Sequence, residues 1–281
     1  MKLILLFIPN LLLVLFASFS MPQVGIQFVA RSEIAKFFSY QQLVMFFSIV
    51  VWIFLEQVFH HVDQALFLAL STMLSSVVIF SQEKLSIESG KKELFYFVQA
   101  VILWALGGLL AFGFRPSHEF YAMSAQGDFV TSQGAGLYFA IIFFFMVGVV
   151  YLYRGKTWMR EDFFEQIYSK DDRGSKASER NFMRTLIMVL ILELAIFNMG
   201  VMTALGMSLI VPFVMLLGQQ KGFAHYRGRV VTTSMVGASV GFLVGLTLDL
   251  PLSYAVIAGQ SLVALLIVLP QLRSLVRSSR L

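Results

Sequence analysis

The sequence predicts an all-α, polytopic helical membrane bundle of about nine transmembrane helices, eight being possible, and three observations predict it. Of 281 residues, 58% are hydrophobic and 13% charged, against roughly 45–50% apolar and about 25% charged in soluble domains. Mean hydropathy is +0.80. Apolar windows recur at the ~20-residue length that crosses a bilayer. Runs such as Gly136 to Val150 are apolar on every face, where the strand of an outer-membrane barrel would alternate over ~10 residues. Closed helices are the other way to satisfy backbone groups in lipid.

The windows place spans at 3–30, 43–60, 64–81, 94–113, 136–153, 183–200, 204–218, 230–247 and 252–270. The polar segments between them are 31–42, 82–93, 154–182, 219–229 and the tail 271–281 on one side, with 114–135 the largest on the other. The first set, with Arg184, collects every Lys and Arg of the 21 except Lys2 and Arg115. Basic residues accumulate in cytoplasmic loops, so this set is expected in the cytoplasm, with the N-terminus outside and the C-terminus inside. The net charge of +5 therefore reads as membrane sidedness, and no nucleic-acid partner is expected. Residues 1–281 form one transmembrane domain in a cell membrane, the bacterial cytoplasmic membrane being the expected one.

The first span has a second reading. Lys2, the apolar run from Leu3 to Phe16 and then Ala17-Ser18-Phe19-Ser20 also fit a secretory signal; we read the segment as a helix broken near Pro9 and Pro22. No cysteine occurs, which excludes disulfides, thiolate metal sites and thiol chemistry. Arg154-Gly155-Lys156-Thr157 has the end of a phosphate-binding loop but lacks the upstream glycine and follows an apolar helix where a strand is required. The chain carries no catalytic motif and no bound cofactor is expected, so any ATP used must be hydrolysed on another chain.

Ionisable groups inside apolar windows cost about 2.5–3.5 kcal/mol each on insertion scales and need a reason. Glu56, His60 and Asp63 fall at helical spacing, which suits a divalent metal or a proton relay; the alternative is that Gln57, His60, His61 and Asp63 cap the helix in the outer interface while Glu56 is protonated or hydrogen-bonded to a neighbour. Glu193 lies near the middle of the sixth span and is expected either to line a transport pathway or to bond across helices to Gln99, Gln260 or a backbone carbonyl. Gly237, Gly241 and Gly245 form a stripe that lets another helix approach closely. Asp249-Leu250-Pro251 then makes a tight external turn into the last span, so the last two helices are expected to form a hairpin.

These residues resemble the integral membrane permeases of zinc/manganese ABC importers. Gly237 to Leu269, with Gly241 eight residues before Asp249-Leu250-Pro251 and then Ser253-Tyr254-Ala255-Val256, is similar to the family's glycine-rich helix, Asp-Leu-Pro turn and final span. Ala204-Leu205-Gly206, Gln126-Gly127-Asp128-Phe129-Val130 and Val24-Gly25 through Arg31 are similar to further family elements in the same order. Two positions depart: the Asp and His that the family associates with metal handling correspond to Phe38 and Gln42. The family's proline at the end of the seventh span corresponds to Leu217, with Pro212 earlier.

The resemblance implies a permease dimer working by alternating access, docked on a cytoplasmic ABC ATPase and fed by an external solute-binding protein, with a divalent metal, zinc or manganese, as cargo. It also implies that the ATPase couples through 219–229, where Lys221, Gly222, Phe223, His225, Tyr226 and Arg227 suit a partner groove; as a bare sequence this is equally a basic loop. A permease-derived scaffold or regulatory subunit that no longer transports, and a proton-coupled secondary transporter using Glu193, are the alternative functions.

Overall fold

The computed structural model describes residues 2–60, 62–83, 89–114, 135–168, 175–217 and 223–278. Among them nine helices follow one another: α1 Lys2–Ala30, α2 Ile34–Phe59, α3 Gln64–Glu83, α4 Ser89–Phe114, α5 Ala135–Tyr168, α6 Ser175–Met199, α7 Val201–Leu217, α8 Phe223–Thr247 and α9 Leu252–Ser278. Eight contain stretches long and apolar enough to cross a membrane. At 1.5 Å per residue the 17 residues of α7 reach only about 25 Å, short of a ~30 Å hydrocarbon core.

Several segments expected as loops are helical. Residues 34–42 belong to α2, leaving only 31–33 between α1 and α2. The run 223–229 opens α8, α5 continues to Tyr168, α6 begins at Ser175 and α9 runs to Ser278. Apolar windows mark where lipid begins; the i→i−4 ladder has no reason to stop there and carries polar residues beyond it. Residues 115–134, with Arg115 and the Gln126–Val130 motif, lie outside the described residues, as do 84–88. The expected break in α1 is absent: Pro9 and Pro22 both sit inside one helix.

Four short connections each close on a residue with positive φ: Ser32 (58°), His60 (54°), Gly200 (82°) and Asp249 (52°). Such a residue turns the chain while its neighbours cap the last carbonyls. The Glu33 N–H donates to Phe28 O at 2.8 Å, His60 N–H to Glu56 O at 3.1 Å, Gly200 N–H to Ile196 O at 2.9 Å and Leu250 N–H to Gly245 O at 2.9 Å.

The centre is α1. Its Leu13, Val14, Ala17, Met21 and Val24 are fully or almost fully buried, and α5, α7 and α8 pack around it. Residues 13–20 of the segment that also fits a signal thus contribute to the core of the bundle. A second group forms where α2 packs on α3 and α4, and α3 on α6. Helix α4 turns Trp104, Leu109 and Phe112 outward, as suits contact with lipid.

Two close backbone approaches fix the helix positions. Pro212 has no N–H, so the carbonyl of Ser208, four residues earlier, loses its helical donor. That carbonyl lies against Gly25 of α1, where a Cβ would sit 2.6 Å from the Ser208 carbonyl carbon. The Pro212 carbonyl in turn accepts the Tyr226 hydroxyl of α8 at 2.7 Å. On the other side α8 and α9 meet through their glycines. A Cβ at Gly237 would lie 2.5 Å from Gln260 Cα, one at Gly241 2.7 Å from Val256 Cα, and one at Gly245 2.9 Å from Ala255 Cβ. The stripe thus serves the α8–α9 pair within the chain. Gln260 then ties three helices, donating to Ser234 Oγ of α8 at 2.7 Å and Ser18 Oγ of α1 at 3.3 Å.

Because backbone atoms cannot move aside as a side chain can, Gly241→Ala is expected to cost about 1–3 kcal/mol or more. At Gly108, where a Cβ meets nothing within 4 Å, alanine is expected to be neutral or to stabilise by up to about 1 kcal/mol. Thermal unfolding of the two variants in one detergent distinguishes them; equal melting temperatures would contradict the packing described.

Candidate functional site

The second helix group is built on two rows of residues four apart. On α2 the row is Lys36, Tyr40, Val44, Ser48, Trp52 and Glu56; on α3 it is Phe67, Ser71, Ser75, Ile79 and Glu83. Rows at this spacing form the ridges along which helices pack. Where they meet each other and α6, three layers result.

The first layer is aromatic. The Trp52 and Phe67 rings stand 5.3 Å apart at 77°, and Phe67 meets Phe197 of α6 at 5.7 Å. The second is polar: Oε1 of Glu193 of α6, 2% exposed, lies at hydrogen-bond distance, 2.7 Å, from the Ser48 hydroxyl oxygen, and Ser71 of α3 lies against the same carboxyl. Thr72, Ser75 and Ser76 continue this layer along α3, all buried and all with hydroxyls lacking a hydrogen-bond partner, as does Glu193 Oε2. The third layer is ionic. Lys36 Nζ lies 3.7 Å from Glu83 Oε1 and 3.8 Å from Glu33 Oε2, the Tyr40 hydroxyl donates to Glu83 at 3.3 Å, and Lys36 stands 5.5 Å above the Tyr40 ring. Aromatic rings and an ion pair thus stand at the two ends of a layer of hydroxyls and one carboxyl.

Among the described buried side chains Glu193 is the one carboxyl. Its cross-helix partners are serines, and the expected bonds to Gln99 or Gln260 are not made: Gln260 is committed to Ser234 and Ser18. Glu56 is half-buried, at the open end of the α2 row beyond Trp52. His60 and Asp63 do not extend that row, because α2 ends at Phe59 and the left-handed His60 turns the chain. Asp63 caps the next helix instead, accepting the Leu66 N–H at Oδ1 over 2.9 Å. No group of three or more His, Cys, Asp or Glu among the described residues could hold a metal ion. Phe38 is half-buried; Gln42 is buried with Oε1 lacking a partner, while neighbouring Gln41 donates to the Val201 carbonyl at 2.7 Å.

Of the residues expected to meet an ATPase, Lys221 and Gly222 lie outside the described residues. Phe223, His225, Tyr226 and Arg227 form the first turn of α8. Tyr226 is buried against Pro212 and Arg227 reaches back to donate to the Leu152 carbonyl of α5; His225 is exposed. Asp249 and Pro251 form the exposed turn between α8 and α9. The serines of α3, together with Lys36, Tyr40 and Glu83, were not read from the sequence as site residues. The signal for them is the four-residue repeat, which places polar groups on one inclined row of two otherwise apolar helices.

No family model and no curated protein sequence matches the chain. Among solved structures, the chain is similar to PsaBC from Streptococcus pneumoniae in complex with Fab, with a TM-score of 0.65 and 11% sequence identity over 91% of this chain and 88% of that one. The likeness is one of fold: nearly the whole chain follows the same path while few side chains coincide.

The ionic layer is partly exposed, and such pairs contribute about 0.2–1 kcal/mol, so its expected role is closure more than stability. The absence of native cysteine makes Ser75→Cys a clean reporter of access. Labelling by a small charged thiol reagent should be slow in that variant and several-fold faster when Glu83→Gln is added, with little change in melting temperature. Equal labelling rates would show that the ion pair does not close this end.

Proposed function

We propose that this chain is the membrane permease subunit of an ABC-type importer, and that its cargo crosses through the sector between α2, α3 and α6. The observation that carries the reading is Glu193. A carboxyl buried within an apolar span is expensive in a membrane protein and marks an ion or proton pathway by default; here it touches the hydroxyls of Ser48 and Ser71, with the unpartnered hydroxyls of Thr72, Ser75 and Ser76 buried on the same helix as Ser71. The overall path of the chain, similar to PsaBC over most of its length, and the ordered motifs that resemble zinc/manganese permeases support the permease assignment. Glu56, beyond the aromatic layer, marks the mouth of the pathway, with His60 and Asp63 at its rim. The positive-inside bias supports a cytoplasmic position for the Lys36–Glu83 end.

The partners follow from that reading: a cytoplasmic ATPase, an external solute-binding protein and a second permease copy. The ATPase would press on the segment from Lys221 to Arg227. The first turn of α8 is suited to transmit that push, since Tyr226 holds the Pro212 carbonyl and so connects it to α7 and, through Ser208, to Gly25 of α1. The cargo we propose is a divalent metal ion. Phe38 and Gln42, standing where the family has Asp and His, favour one second reading: a permease-derived scaffold or regulatory subunit that does not transport.

Two measurements test the proposal in cells expressing the full chain. Affinity purification should retain an ATPase with a phosphate-binding loop, and cells should take up radiolabelled manganese or zinc in a manner dependent on this chain. Glu193→Gln, at normal membrane levels, should lower uptake by about tenfold or more, the equivalent of roughly 1.4 kcal/mol or more. An ATPase retained with no chain-dependent uptake would favour the scaffold; no ATPase at all would remove the importer.

A further inference from the structure

The hydrogen atoms around Glu193 do not balance if its side chain is ionised. Ser48 Oγ lies 2.7 Å from the Val44 carbonyl oxygen and 2.7 Å from Glu193 Oε1. A carbonyl only accepts, an ionised carboxylate only accepts, and a hydroxyl has one proton to give. Ser71, which also lies against the carboxyl, is in the same position, its one proton already called for by the Phe67 carbonyl at 2.8 Å and that of Leu68 at 3.4 Å. Glu193 Oε2 has no partner. An ionised side chain would thus set oxygen lone pairs against each other at 2.7 Å and leave a bare anionic oxygen in an apolar bundle, where unpaired charge is far costlier than an unpaired neutral carbonyl.

One added proton closes the account. A protonated Oε1 donates to Ser48 Oγ, Ser48 donates to Val44 O, Ser71 donates to Phe67 O, and Oε2 is left as an ordinary neutral carbonyl. We propose that Glu193 holds a proton in the closed bundle and is the group through which the transport cycle exchanges a proton with water. The exchange half rests on the permease reading; the protonated state does not. When either end opens, water reaches the carboxylic acid, the Oε1–H bond breaks and the proton leaves to that water, giving a hydrated carboxylate; closure reverses the step.

Nothing else titratable faces the site among the described side chains. On α2 the nearest such groups, Tyr40 and Glu56, lie eight residues either side of Ser48, more than two helical turns away. On α3, Glu83 is twelve residues beyond Ser71, paired with Lys36. Helix α7 and α1 from Ile8 onward present none, the apolar stretch Leu137–Gly155 of α5 contributes the phenols Tyr138, Tyr151 and Tyr153 with Arg154 at its end, and on α6 itself Arg184 lies nine residues before Glu193.

Infrared difference spectroscopy on the purified full chain in lipid at neutral pH tests this. The wild type should show the carbonyl stretch of a protonated carboxylic acid, lost in Glu193→Gln, whose neutral amide keeps the fold. Ser48→Ala should shift that band to higher frequency, because the acid loses its acceptor. Absence of the band in wild type, its survival in Glu193→Gln, or no shift in Ser48→Ala would each overturn the proposal. The readout needs neither ATPase nor cargo, so a band found in a chain that fails to transport would leave the protonated state standing while the permease reading falls.

Discussion

The carbonyl of Ser208 is the point on which the bundle depends. Pro212 deprives it of its helical partner, lipid offers it none, and only a residue without a side chain can approach closely enough to cover it. Gly25 does so from the middle of α1, and this fixes where α7 crosses the central helix. The freed geometry of the same turn presents the Pro212 carbonyl to Tyr226, which fixes α8. Gln260 then joins α9 and α8 to α1 at Ser18. A chain of backbone approaches and single hydrogen bonds thus sets four helices in which every apolar side chain would be nearly as well solvated by lipid.

Much of this architecture was legible in the sequence, and for a physical reason. Lipid demands long uninterrupted apolar runs, so the helices announced themselves, and Gly237, Gly241 and Gly245 lie on one face at a spacing that has few other uses. The ends were harder. Residues 34–42 and 223–229 are polar enough to resemble loops, yet a helix continues in water at little cost. Pro9 and Pro22 suggested breaks in α1, but tertiary packing on three sides holds it together regardless. Asp63 was misplaced because helical spacing was extended across His60, whose left-handed backbone no periodicity reveals.

For the site, the carboxyl was visible and its surroundings were not. Glu193 stands out because charge in an apolar window has a cost that sequence alone exposes. Its serine partners carry no such cost: a hydroxyl in a helix can donate to its own i−4 carbonyl and pass for filler. Only when α2, α3 and α6 are brought together do Ser48 and Ser71 meet the carboxyl, and Lys36, Tyr40 and Glu83 one another. The expected bond to Gln260 is not made because that side chain holds α9 to α8 and α1.

The turn at Gly200 differs from the other left-handed corners. Asn198, Met199 and Val201 around it are buried, whereas His60 and Asp249 are exposed, and Gln41 reaches in to its backbone. Helix α7 otherwise packs on α1 and α9, and α6 on α3. The buried corner at Gly200 is therefore where the helix group around α1 is joined to the group built on α2, and Gln41 of α2 holds that joint through the Val201 carbonyl.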